Sequence, residues 1–279
     1  MDSTKKIPFV YDGTALTRMF TMQRELMSTL EKKGKFFSTN SDLTLNLSNP
    51  PDQAFFREIS GFLFEELFEA EEKIAAIIDY AINQPNHSMV KTDAYQLEIG
   101  QEIADCTHFM IELMILAGVD EYVLEKQLLD YLEQDGSILQ FKNTKKPLEV
   151  TFELAKYNNI FFGRKAMGNT YKDLNFGRDE KYYTMYEKIC AKCSVGMAKE
   201  LDKLMLQFLR DFHKALRMLK KKPWRKGTSL DIKQFQTYIG EAWGTYICWL
   251  ELMGFESQVV FDTYYVKHQV VLERLNTNY

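Results

Sequence analysis

Cysteine is scarce and scattered in this chain, with Cys106, Cys190, Cys193 and Cys248 forming no framework of regular spacings. That excludes a disulfide-stapled secreted domain and fits the reducing interior of a cell. Cys190 and Cys193 have the spacing of a redox or zinc-knuckle pair, yet no second Cys or His pair stands nearby to complete a site; two thiols one helical turn apart is the simpler account. Histidine is equally sparse. His87, His108, His213 and His268 show no paired ligand spacing, so a zinc centre is not expected. Also missing are a Gly-rich phosphate loop, a Gly-x-Ser-x-Gly elbow and a dinucleotide-binding fingerprint. No run approaches the roughly eighteen apolar residues of a membrane span, and Met1-Asp2-Ser3-Thr4-Lys5-Lys6 contains no apolar leader segment. The expectation is a soluble, cytoplasmic protein. A formal charge of −4 leaves no general basic footprint for nucleic acid, although free nucleotides stay open where a metal ion supplies positive charge.

What is present suits a large helical core: 46% of the 279 residues are apolar and 14% aromatic. Apolar side chains recur at helical spacing from about Thr14 to Lys33, where Gly34 ends the pattern, and again from Pro51-Asp52 to about Asn83. Further helices are expected from Thr92 or Asp93 to Ala117, stopping at Gly118, and from Glu121 to Glu133. No strand is evident before Gln140. Between Phe141 and Gly177 the period weakens around Pro147, Gly163, Gly168 and Gly177, which reads as loops with short helices. A long helix is expected from Asp179 to Leu219, then two more from Leu230 to Met253 and from Ser257 to Leu275. The run Lys220-Lys221-Lys222-Pro223-Trp224-Arg225-Lys226-Gly227 between them reads as a solvated connection, with phosphate binding as the alternative. The fold class is all-α, divided as 1–140 for the first part of a helical core, 141–228 for a helical insertion or lid, and 229–279 for helices completing the core. A faint echo of Glu112-Leu113-Met114 in Glu251-Leu252-Met253 is no stronger than chance similarity between amphipathic helices.

Two short carboxylate patterns carry the chemistry. Glu65-Glu66-Leu67-Phe68-Glu69 and Glu102-Ile103-Ala104-Asp105 each hold acids three residues apart, so each pair shares a helix face. Their surroundings are apolar, through Phe62, Leu63, Phe64, Leu67 and Phe68 in one and Ile103, Phe109, Met110, Leu113 and Met114 in the other, so the acids cannot all face water. Glu66 lies about as far before the turn-like Gln84-Pro85-Asn86-His87-Ser88 as Asp105 lies after it. An antiparallel pair with a rise of ~1.5 Å per residue therefore brings Glu66, Glu69, Glu102 and Asp105 level. Four such acids repel unless a multivalent cation sits among them, and hard oxygen ligands select Mg²⁺ or Mn²⁺ and hence a phosphate substrate.

These patterns resemble the all-α nucleoside triphosphate pyrophosphohydrolases, specifically the dimeric dUTPases and phage dCTP/dUTP pyrophosphatases within the MazG-like group. Glu65-Glu66-x-x-Glu69 and Glu102-x-x-Asp105 are similar to the family's metal signature, with a longer gap between them. Met22-Gln23 resembles its N-terminal Leu-Gln motif, Asp105-Cys106-Thr107-His108-Phe109 its Asp-x-x-His-Phe continuation, and the stretch from Tyr264 through Lys267 and Arg274 to Tyr279 its closing motif. Departures are His268 and Val271 in place of asparagines, Asn278 in place of glycine, and Met27 near the base position. The resemblance covers roughly 14–125 and 236–279 and implies a homodimer that cleaves a deoxynucleoside triphosphate to the monophosphate and pyrophosphate. It further implies that Glu66, Glu69, Glu102 and Asp105 hold Mg²⁺ or Mn²⁺, that Glu66 is the catalytic base for the attacking water, that Lys267 and Arg274 bind the outer phosphates, that Tyr279 belongs to the substrate-binding set, and that Gln23 and Phe109 contact sugar and base. dUTP is the expected substrate, with dCTP admitted by a site that has lost polar groups. Two alternatives stay open: a pyrophosphohydrolase for another or modified deoxynucleotide, and a helical interaction protein that has lost its activity.

Overall fold

The computed structural model describes residues 15–34, 39–83, 92–120, 124, 195–219, 230–253, 255 and 257–277. They form six helices, α1 (Ala15–Lys32), α2 (Pro50–Asn83), α3 (Thr92–Leu116), α4 (Val195–Met218), α5 (Ile232–Leu252) and α6 (Ser257–Thr277), packed as a bundle with antiparallel pairs; no strand occurs among the described residues. None of these helices is long and apolar enough to cross a membrane. The expected helix between Glu121 and Glu133 lies outside the described residues except for buried Leu124, as do the stretch 141–177, the expected helix before Val195 and the basic run 220–227.

Local chemistry fixes the helix ends. Asn49 precedes α2 and its carbonyl accepts the Gln53 amide at 3.1 Å, while Pro50 occupies the first turn, where its missing N–H has no intrahelical role. Asp52 holds the approach to this helix, its two oxygens accepting from the Asn46 amide and the Asn49 side chain, each at 2.8 Å. At the start of α5, Asp231 Oδ1 caps the Gln234 amide at 3.1 Å. The end of α3 is a Schellman turn. Gly118 has φ 71°, its amide donates to the Ile115 carbonyl at 2.9 Å, and the Val119 amide reaches back to Met114 at 2.8 Å. Gly34 plays the same conformational role after α1, with φ 65°.

Burial follows helical periodicity. On α2 the stripe Phe56, Ile59, Leu63, Leu67, Ala70 and Ile74 faces inward, and on α4 the stripe Leu201, Met205, Phe208, Phe212, Ala215 and Leu219 does the same. Thus Val195–Met218, within the stretch read from sequence as an insertion, contributes to the same hydrophobic core as the other helices. The α4–α5 and α2–α3 pairs share the most extensive contacts, and α3 also touches α1, α5 and α6. Ring contacts link the pairs, Phe56 with Phe235 at 5.4 Å and Phe64 with Phe212 at 5.5 Å. Arg57 adds a polar tie by donating to the Leu216 and Leu219 carbonyls at the end of α4. Because α3 is surrounded, nearly everything from Ile103 to Ala117 is buried, and any polar side chain it carries must find a partner inside the protein.

Candidate metal centre

The antiparallel pairing of α2 and α3 brings three acids together. One carboxylate oxygen from each of Glu66, Glu102 and Asp105 lies within 4.8 Å of the other two, and all three side chains are half-buried. Glu69 stands one turn beyond Glu66 on α2, exposed and outside this group, although its charge is felt at Glu66. Burial is the largest influence on Glu66; with the charge of Asp105, a hydrogen bond to Glu102 and the charges of Glu102 and Glu69, it pushes that carboxyl up to about 7. Burial also raises Asp105, opposed by hydrogen bonding to Lys267 and by its charge, reinforced by Glu102 and opposed again by Arg274.

Repulsion among these acids is partly relieved from within. Lys267 of α6 donates to Asp105 Oδ2 at 2.5 Å, and Lys73 of α2 pairs with Glu102. The sequence expectation that only a multivalent cation could hold such acids together is therefore corrected, because two ammonium groups do part of that work. No sequence pattern singles out Lys73, although it lies seven residues after Glu66 and so about two turns along one helix face. Three converging oxygens remain a donor set suited to a hard divalent ion, with room in its coordination for water and phosphate oxygens. Cys106 is no nucleophile here, since burial foremost, then the charges of Glu66, Asp105 and Glu102, push its thiol pKa up.

Beneath the acids, residues of α1, α3 and α6 form a second polar cluster in the core. Gln23 Nε2 donates to Glu112 Oε2 at 3.1 Å, and the Tyr264 hydroxyl donates to Gln23 Oε1 at 2.9 Å. The His108 ring stacks on Tyr264 at 3.9 Å, with His268 5.8 Å from His108. His108 Nδ1 lies 2.8 Å from the Ala104 carbonyl, which fixes Nδ1 as the protonated nitrogen of the neutral ring. Among the described residues, His108 Nε2 and His268 Nδ1 have no hydrogen-bond partner. Burial pushes Glu112 up to about 8 despite the hydrogen bond from Gln23, and pushes His108 down to about 3 despite the bond to Ala104. At neutral pH the cluster is predominantly uncharged.

The remaining sequence candidates divide by position. Gln23 is buried and both ends of its amide are engaged inside the protein, which makes it a joint between helices. Phe109 is half-buried with its ring 5.8 Å from that of Phe62, next to the stretch that bears the acids. Arg274 is exposed in the last turn of α6, near enough for its charge to act on Asp105. Tyr279 lies outside the described residues. Glu112 and Tyr264 gained no role from the sequence, because their partners are distant in the chain. Comparison with models of protein families, with curated proteins and with solved structures finds no match to this chain.

Proposed function

We propose that this protein is a Mg²⁺- or Mn²⁺-dependent nucleoside triphosphate pyrophosphohydrolase acting on dUTP, and on dCTP by the same chemistry. The observation that carries the reading is the convergence of Glu66, Glu102 and Asp105 from the two antiparallel helices. Together with Glu69 they would hold the cation, which when bound supplies charge neutralisation for the triphosphate and lowers the pKa of a coordinated water. Glu66 would accept a proton from the attacking water, as the carboxylate of α2 that faces both Glu102 and Asp105. The water oxygen forms a bond to the α-phosphorus as the bond to the bridging oxygen breaks, and pyrophosphate departs. Lys267 and Arg274 would bind the phosphate chain from α6, the former by releasing Asp105. Phe109 would border the sugar and base, with Gln23 acting from below to fix the helix that bears the site. The same reading carries a cytoplasmic homodimer, for which the exposed Phe68 and Val266 are candidate contact residues.

A second reading is favoured by one specific observation: Lys73 and Lys267 already pair with two of the three acids. In that case the site is a permanent ionic joint in a helical protein without catalytic activity. A panel of deoxynucleoside triphosphates incubated with Mg²⁺ or with EDTA, with products resolved by chromatography, separates the two. Release of dUMP and pyrophosphate that stops in EDTA supports the enzyme, whereas no turnover of any nucleotide with either metal supports the joint. A purine nucleotide as best substrate would overturn the base assignment alone.

A further inference from the structure

Lys73 has an anionic partner inside the protein and is placed to meet another that would arrive with substrate. It projects from the α2 helix that carries Glu66, and its ammonium crosses to Glu102 on α3. The side chain keeps 28% of its surface exposed, and a flexible four-carbon stem lets its charge move without a change in the backbone. We propose that Lys73 is an exchangeable counter-ion, neutralising Glu102 while the carboxylates are free of metal and turning to the phosphate chain of the substrate once a divalent cation takes Glu102. The inference rests on the pyrophosphohydrolase reading and adds an anion-binding group from α2 to those proposed on α6.

Charge counting supports the exchange. Glu66, Glu69, Glu102 and Asp105 bring at most four negative charges, and the two paired ammonium groups bring two positive ones. A divalent cation raises the positive total to four, so the loaded site no longer repels a polyphosphate. The same ammonium that opposes the metal therefore favours the metal-bound anion.

Lys73→Gln and Lys73→Arg test this against the unaltered protein, using Mn²⁺ without nucleotide followed by electron paramagnetic resonance, and inorganic tripolyphosphate at saturating Mg²⁺ followed by calorimetry. For Lys73→Gln, Mn²⁺ binding should tighten roughly three- to tenfold and tripolyphosphate binding should weaken by a similar factor, as expected for loss of one partly exposed charge. Lys73→Arg should stay within about twofold of the original protein in tripolyphosphate binding, since it keeps the charge. If the original protein binds Mn²⁺ and Lys73→Gln leaves that affinity unchanged or weaker, the exchange is overturned while the metal site stands. Unchanged tripolyphosphate affinity in Lys73→Gln overturns the substrate-binding half. Failure of every form to bind Mn²⁺ removes the metal reading and the inference together.

Discussion

Glu112 is a carboxyl in an apolar interior, held by one amide donor, and its protonation state links the core to pH. The native protein keeps this proton up to about pH 8, whereas the unfolded chain releases it near the ordinary 4.5. Its contribution to stability is therefore complete below pH 4.5 and is lost as pH rises toward 8, with a limiting slope of ~1.4 kcal/mol per pH unit. Glu112→Gln keeps an oxygen for the Gln23 amide without an ionisable proton. Relative to the original protein it should gain stability steadily between those limits and level off above them, as read by urea unfolding at a series of pH values; a difference independent of pH would show that Glu112 is ionised in the fold. His108 acts in the opposite direction, its native pKa of about 3 lying below the ordinary 6.5, so that its contribution is full above 6.5 and is lost as pH falls toward 3. Between them, these two groups favour a stability maximum from about pH 4.5 to 6.5. The acids near the surface were legible in the sequence because two i, i+3 patterns flank one turn-like stretch of sequence. Glu112 was not, because its partner Gln23 is 89 residues away and a lone Glu in an apolar helix looks like a solvent-facing residue.

At the scale of elements, helix boundaries were legible wherever the stop signal is a backbone requirement. Gly34 and Gly118 both adopt positive φ, and the expected ends of α1 and α3 fall within a residue or two of those observed. The two glycines differ in what surrounds them. A Cβ on Gly34 would meet nothing within 4 Å, whereas one on Gly118 would come within 3.1 Å of Gln236 Nε2, which donates to the Ala117 and Gly118 carbonyls. Gly34→Ala should therefore cost about 1–2 kcal/mol from the left-handed backbone alone. Gly118→Ala should cost more, because Gln236 must also give way and two carbonyls at the end of α3 lose their donor. Denaturant midpoints of the two variants decide this, and an equal loss would show that Gln236 moves freely. The α4–α5 pair was less legible: amphipathic periodicity revealed each helix, but nothing local records that buried Asp211 of α4 would accept from Lys214 and from Thr245 of α5.

For the molecule as a whole, the decisive question is whether the three acids are a joint or a receptor. As a joint, the site gains nothing from divalent cations, and its stability rests on the Lys73–Glu102 and Lys267–Asp105 pairs. As a receptor, metal bound by the folded form alone shifts the unfolding equilibrium by RT ln(1 + [L]/Kd), about 2.7 kcal/mol at a hundredfold excess over Kd. For a chain of this size that corresponds to a rise in Tm of roughly 4–5 °C. Thermal melts in EDTA and in increasing Mg²⁺ or Mn²⁺ should show such a rise in the original protein, and turnover should vanish in EDTA. Glu102→Gln and Asp105→Asn should lose most of the rise and cut turnover by orders of magnitude. In EDTA each should melt within a few degrees of the original, because the lysine left behind is at least a fifth exposed and water can solvate it. A large destabilisation in EDTA combined with no response of the original protein to either metal would establish the joint. The metal-dependent rise confined to chains with all three acids intact would establish the receptor, since only there do α2 and α3 together supply the ligand set.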